Sequence, residues 1–176
     1  VLRLATLIDG FNDRLGRFVS WAALAMVLVQ FIVVIMRYVF GLGSVWMQES
    51  IIYLHGLLFM LAAGYTLLMD EHVRVDIFYR EASPRYKATV NLLGTVFFLW
   101  PVCWLIWDAA WPYVALSWSY FEGSQETSGI PAVFLLKSVI LAFTVLVALQ
   151  GVSVILHAVR TLRGLEVPRS EPAPKL

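Results

Sequence analysis

Residues 18–36 read FVSWAALAMVLVQFIVVIM, with no Asp, Glu, Lys or Arg, and Arg37 closes the run. A helix of about 20 predominantly apolar residues crosses the roughly 30 Å of bilayer hydrocarbon. Three more stretches follow the same pattern: Ser50 to Met69, closed by Asp70 and Glu71; Ala88 to Trp107; and Ser138 to Ile155, with Lys137 before it and His157 and Arg160 after it. Barrel strands would show runs of about ten residues alternating apolar and polar, and nothing alternates at that length. The pattern predicts an all-α integral membrane protein with four transmembrane helices, at about residues 18–39, 49–69, 86–108 and 133–157. Together they form one four-helix membrane domain over residues 1–164. The stretch LEVPRSEPAPKL after Gly164 is proline-rich, so residues 165–176 read as a disordered cytoplasmic tail.

Composition agrees. Of 176 residues, 60% are hydrophobic and 14% charged, against roughly 45–50% and about 25% in soluble domains. So little charge cannot cover a water-soluble globule, which excludes a cytosolic enzyme, a nucleic-acid binder and a disordered chain. Cys103 is the only cysteine, so an intrachain disulfide, a CxxC redox pair and a thiolate metal cluster are excluded. The first apolar run is too long for a signal-peptide core and lacks a small-x-small cleavage site, so no cleavable leader is expected.

The charges that remain are placed unevenly. Arg3, Arg14 and Arg17 precede the first span; Arg74, Arg80, Arg85 and Lys87 lie between spans two and three; Arg160, Arg163, Arg169 and Lys175 follow the fourth. Only Arg37 and Lys137 lie on the other side. The positive-inside rule puts both termini and the central connection in the cytoplasm.

The connections carry local signals. Leu4, Leu7, Ile8, Phe11, Leu15 and Phe18 recur at three- and four-residue steps, which predicts an N-terminal interfacial amphipathic helix, or else a plain extension of the first span. Ser44 is placed to cap the second helix. Ser83–Pro84 reads as an N-cap followed by proline at the first helical position. Val73, Val75 and Ile77 alternate with Arg74 and Asp76, which suggests extended chain at the membrane surface. In the third span Trp100, Trp104, Trp107 and Trp111 share a face, Pro101 interrupts the hydrogen-bond ladder, and Pro112 favours a break.

An ionisable group inside a span is a functional suspect, because its desolvation must be offset. Arg37, Glu49, Asp108 and Lys137 all sit at span ends, and none lies near a midplane. That argues against a self-contained ion-coupled carrier, which needs such a group or paired broken helices. Trp46 and Glu49 lie three apart at the start of span two. They read equally as an acid on a helix N-terminus beside an interfacial tryptophan, or as a contact with a partner. His55 and His72 are 17 residues apart, about 25 Å on a helix, too far to share a haem iron. His157 reads as a helix-end residue, and Asp70-Glu71-His72 with Asp76 is too sparse for a metal-dependent lipid enzyme. Gly56, Ala63 and Gly64 mark close helix approach in span two, as do Gly94 in span three and Ala148 to Gly151 in span four.

In order along the chain, Arg37-Tyr38-Val39-Phe40, Trp46-Met47-Gln48-Glu49, Gly64-Tyr65-Thr66-Leu67-Leu68-Met69 and His72-Val73-Arg74-Val75-Asp76 form a signature. It resembles that of the small, four-span, DctQ-like membrane subunit of tripartite ATP-independent periplasmic (TRAP) transporters, over roughly residues 10–164. His55-Gly56 departs from it, since many relatives carry a tryptophan before the small residues. The resemblance implies a bacterial inner-membrane protein that is not an enzyme and carries no cofactor. Sodium coupling is expected on a large multi-span permease subunit that moves as an elevator. A periplasmic substrate-binding protein delivers an organic anion such as a carboxylate or sugar acid. The small subunit is then a non-catalytic scaffold that braces the large one and helps dock the binding protein. Its contacts are those two proteins and membrane lipids, with no nucleic acid. On that model Trp46 and Glu49 anchor span two, Gly56 and Gly64 allow close packing, and His72, Arg74 and Asp76 fix the cytoplasmic loop. Trp100 and Trp104 face lipid or the large subunit, and Glu122 and Glu126 are either solvated or meet a basic patch on the binding protein. The alternative is a stand-alone small four-helix membrane carrier or a membrane assembly factor.

Overall fold

The computed structural model describes residues 2–72, 79 and 82–165, and among these there are helices and no strands. Four stretches are long and apolar enough to cross a membrane: Arg3–Val39, Val45–Leu68, Pro84–Ser119 and Val133–Leu162. Arg74, Asp76 and residues 166–176 lie outside the described residues, and with them the expectations for the loop and the tail.

The first span is α1, Leu2–Val39. The expected amphipathic segment forms its first part and is not set off by any break. At 38 residues α1 is about 57 Å long, well beyond the hydrocarbon thickness. Gly41, at φ +69, turns the chain, and Leu42 N–H returns to Met36 O at 2.9 Å. Ser44 caps α2, Val45–Leu61, by accepting from Met47 N–H at 3.3 Å, as expected from sequence. A short α3, Ala63–Leu68, extends α2 to the end of the second span. Asp70 then closes it in the left-handed region at φ 59, with Glu71 N–H on Thr66 O and Asp70 N–H on Leu67 O. This is a Schellman stop with aspartate where glycine is usual.

The third span starts as α4, Pro84–Gly94, capped by Ser83 with Pro84 at its first position, again as expected. A π-helical turn, Thr95–Leu99, joins it to α5, Trp100–Ser119. Pro101 has no N–H to give, and the wider turn takes up the deficit, with Trp100 N–H reaching Thr95 O. Pro112 does not end the helix. It sits inside α5, which runs unbroken to Ser119, so Asp108 to Ser119 continues the span. The fourth span is α6, Val133–Leu162.

Helix α6 touches every other helix, whereas α5 contacts only α6 and the π turn. The helices α1, α2–α3 and α6 form a three-sided cluster, and the third span leans on the opposite flank of α6. The interior is made of small and polar residues. Ala5, Val19, Ala88, Ala110 and Ala158 are buried with Asn12, Thr95, Thr144, Gln150 and Ser153, while no described Phe, Tyr or Trp is buried. In lipid there is no hydrophobic gain from helix association, so small side chains that permit close approach go inside and large apolar ones meet the solvent.

Candidate functional site

The start of α1, the end of α3, the start of α4 and the end of α6 share one end of the molecule, called here the terminal end; the links 40–44 and 120–132 are at the far end. Each end holds a cluster of polar side chains, and between them lies an apolar groove.

At the terminal end, α1 and α6 are joined through a carboxylate. Asp9 Oδ1 accepts from Gln150 Nε2 at 2.9 Å and Ser153 Oγ at 2.6 Å. Asp9 Oδ2 faces His157 Nε2 at 3.2 Å. Asn12 Nδ2, one turn on, donates to Gln150 Oε1 at 2.8 Å. Asn12 is 1% exposed, and its carbonyl oxygen lies against Gly64, where a Cβ would come within 2.8 Å of it. One turn further, Tyr65 lies over Gly16 so closely that a Cβ there would overlap the ring. Gly64-Tyr65 of the signature therefore seats α3 on α1, glycine beneath asparagine and tyrosine on glycine. A cavity of about 240 Å³ opens beside this cluster, lined in part by Asp9, Gln150, His157, Lys87 and Asn91. On its wall Tyr79 Oη donates to Asn91 Oδ1 at 3.0 Å, and the Lys87 ammonium lies 5.3 Å from the Tyr79 ring centre.

At the far end Glu49 is turned inward onto its own chain. Oε1 accepts from the Ser124 hydroxyl, and Oε2 accepts from Ile130 N–H at 2.6 Å. Gly129 has no room for a Cβ, since Ser124 and Glu49 Oε1 occupy that space. The carboxylate thereby pins the 120–132 connection to α2. Trp46, on the preceding turn, is 57% exposed and free to meet a neighbour. Glu122 is also engaged, with Lys137 and with Ser117 Oγ at 2.6 Å. The Lys137 ammonium sits 3.9 Å from the Tyr113 ring centre, a cation–π contact. The hydrogen bond from Lys137, then that from Ser117, hold the Glu122 carboxyl below the ordinary carboxylate range, against a smaller opposing effect of burial. Of the two loop acids, Glu122 is thus occupied, and Glu126 stands exposed.

Between the ends, Trp100, Trp104 and Trp107 of α5 and Thr144, Ala148 and Val152 of α6 line an apolar groove of about 410 Å³. Trp100 Nε1 donates to Ala148 O at 3.3 Å, and Trp104, 71% exposed, forms the rim. Gly151 lets α6 approach the π turn, since a Cβ would come within 2.9 Å of Leu99 and 3.1 Å of Thr95. Gly56 does the same for α2 against Leu136. His72 is exposed past the end of α3.

Sequence reasoning weighed charges inside spans and so passed over Asn12, Gln150 and Ser153, and it gave Asp9 no role. Two stripes carried the signal. Ala5, Asp9, Asn12 and Gly16 follow one face of α1, opposite the apolar stripe; Gln150, Ser153 and His157 follow one face of α6. Among the described residues no group of three His, Cys, Asp or Glu is placed to hold a metal. Apart from exposed Glu126 and the Asn12 carbonyl oxygen, which has no hydrogen-bond partner, the carboxylates and amides described above are engaged by neighbouring side chains and backbone, which makes them ties within the chain.

Neither the curated proteins nor the solved structures contain a match to this chain. The family model described as tripartite ATP-independent periplasmic transporters, DctQ component, matches residues 26–161. That range takes in Glu49, Gly56, Gly64-Tyr65, the π turn, the tryptophan groove and the whole polar stripe of α6. A multi-pass membrane chain whose polar groups serve to tie its own helices together, and whose sequence fits that family from the first span to the last, belongs to the DctQ component family of the TRAP transporters.

Proposed function

We propose that this chain is the non-catalytic scaffold subunit of a sodium-coupled secondary transporter in the bacterial inner membrane, with both termini in the cytoplasm. It braces a large elevator-type permease subunit, which holds the sodium and substrate sites. It also helps dock a periplasmic binding protein that delivers an organic anion, a carboxylate or a sugar acid. The observation that carries this reading is the open arrangement of the spans. Only α6 is surrounded by its own chain, while Trp21, Phe31, Ile52, Phe59, Phe98 and Trp104 stand exposed on the others. A protein that moved a solute alone would need to enclose a path between its helices. Here the third span leans on a single neighbour, and the groove at mid-depth is lined by carbon.

Trp46, beside the pinned Glu49, fits a role at the partner or lipid boundary of the far end, and Glu126 is the loop acid left for a binding protein. His72 lies at the other end, where Arg74 and Asp76 of the signature follow it in sequence.

The test is uptake into proteoliposomes under a sodium gradient. The chain alone, or the large subunit alone, should give background uptake; the two together with the binding protein should restore it. Solute accumulation by this chain alone would overturn the scaffold reading in favour of a stand-alone carrier.

A further inference from the structure

Four carboxylates lie in the four membrane-spanning stretches, and three of them are engaged. Asp9 accepts from Gln150 and Ser153, Asp13 pairs with Arg17 at 3.1 Å, and Glu49 accepts from Ser124 and Ile130. Asp108 is the fourth. It is exposed and, among the described residues, has no hydrogen bond or ion pair. Tyr53 Oη and Asn12 Oδ1 also lack partners, but these are uncharged atoms closed off inside the chain, where a neighbouring protein does not reach.

The unbroken course of α5 sets the depth of this carboxylate. The charge-free run of the third span ends at Trp107, which would put Asp108 at the span's edge, but α5 continues to Ser119. The polar contacts of the far end begin at Ser117 and Trp118, which bond Glu122 and Ser138. Those two residues lie nine and ten positions beyond Asp108, about 14–15 Å along the helix. Trp107, the residue before Asp108, lines the groove with Thr144, Ala148 and Val152, inside the uncharged run of α6. Asp108 is therefore at hydrocarbon depth, where a carboxylate requires a partner.

It also faces away from its own chain. The buried residues of α5 are Cys103, Ala110, Val114 and Ser117, which mark the side toward α6. Asp108 is about 200° around the helix from Ala110, beside Trp104 at 71% and Leu105 at 66% exposure. Pro112, also exposed, lies four residues on and has no N–H to give to Asp108 O. One spot on the outer face thus presents two carboxylate oxygens and a main-chain carbonyl whose ladder donor is missing. It holds acceptors and negative charge, and it calls for a cation with several N–H groups. A lipid ammonium stays at headgroup level. A second copy of this chain brings no Lys or Arg, since none lies in the four charge-free runs. Its mid-span His55 has at most two N–H groups, on opposite sides of the ring, whereas a guanidinium carries five in a planar fork.

We propose that the outer face of α5 around Asp108 is a docking site for a transmembrane helix of another chain that carries an arginine at that depth. The proposal rests on the scaffold reading, in which that chain is the large permease subunit, and it names the contact that joins the two. Each chain alone then holds a charge that lipid tolerates poorly, and the charges are neutralised when the helices meet.

The experiment uses the whole transporter. Asp108→Asn keeps the side chain's shape and removes its charge, and it should lower recovery of the co-expressed large subunit by about 10-fold or more, as for any broken desolvated charge pair. The thermal midpoint of this chain on its own should not fall, because Asp108 holds nothing within it. Separately, a photoreactive benzophenone amino acid in place of Leu105, one turn from Asp108, should give an adduct with the large subunit on irradiation. Mass spectrometry of that adduct should locate it in a transmembrane segment containing arginine. Unchanged recovery with Asp108→Asn, or a lower midpoint of the isolated variant, overturns the site. So does an adduct in a segment without arginine, with a second copy of this chain, or with no protein at all. In each of those cases the scaffold reading stands as long as the wild-type chain retains the large subunit. Failure of the wild-type chain to retain it defeats the scaffold reading, and this site with it.

Discussion

Gly16 shows how little room the cluster leaves. The Tyr65 ring lies where a side chain at 16 would begin, and both residues sit on helices that have no slack at this contact. Gly16→Ala should lower stability by about 1–3 kcal/mol, the usual cost of overpacking, read as a lower thermal midpoint in detergent. A Cβ added at Gly10 on the same helix would meet nothing, so Gly10→Ala should instead gain about 0.5–1 kcal/mol from the helix backbone alone. Glu122 gives a residue-scale dependence on pH. Lys137 and Ser117 hold its folded carboxyl below the reference value of 4.5, so the unfolded chain takes up the proton first as pH falls. The stabilisation from these bonds is therefore full above about pH 5 and is lost as pH drops through the folded value. Thermal melts from pH 7 to pH 3 should show a decline below about 4.5, and Glu122→Gln should flatten that part of the profile.

Among the elements, the third span carries two prolines that behave differently. The π turn before Pro101 absorbs the missing donor and also fits Gly151 of α6, so the irregularity is part of the packing. Pro112 is exposed inside α5, and there the lost bond to Asp108 O has no such return. Pro112→Ala should raise stability by up to about 3 kcal/mol, measured by thermal or denaturant unfolding in detergent. The sequence alone carried the spans, because each is a charge-free run of membrane length, and it carried the caps at Ser44 and Ser83-Pro84, because capping is decided within four residues. It could not carry the extension of α5 past Pro112. One lost hydrogen bond does not end a helix when the residues on both sides remain good partners for α6. The terminal cluster was hidden for a different reason. Asp9 and Asn12 meet side chains about 140 positions away, and an amide such as Gln150 does not register in a search for charge. Glu49 stood out by residue type, but its use as a latch on the 120–132 connection depends on Ser124 and Ile130, which nothing in its own neighbourhood announces.

For the whole molecule, the interior is small and polar and the exterior large and aromatic, so the chain is built to be surrounded. Polar ties at both ends of the α1–α2–α6 cluster hold its helices together, while the faces between them are largely apolar. This suits a part that holds still while a neighbour moves. The place of α6 in the chain has a further consequence, during synthesis. The helix that every other helix needs is the last of the four to leave the ribosome. Until it is inserted, α1 has only α2–α3 for company and the third span has no docking site. Assembly of the whole bundle therefore waits for insertion of the fourth span. A transcript cut short before residue 133 would leave α1 paired only with α2–α3 and the third span without a neighbour, a product that membrane quality control can tell from the finished one.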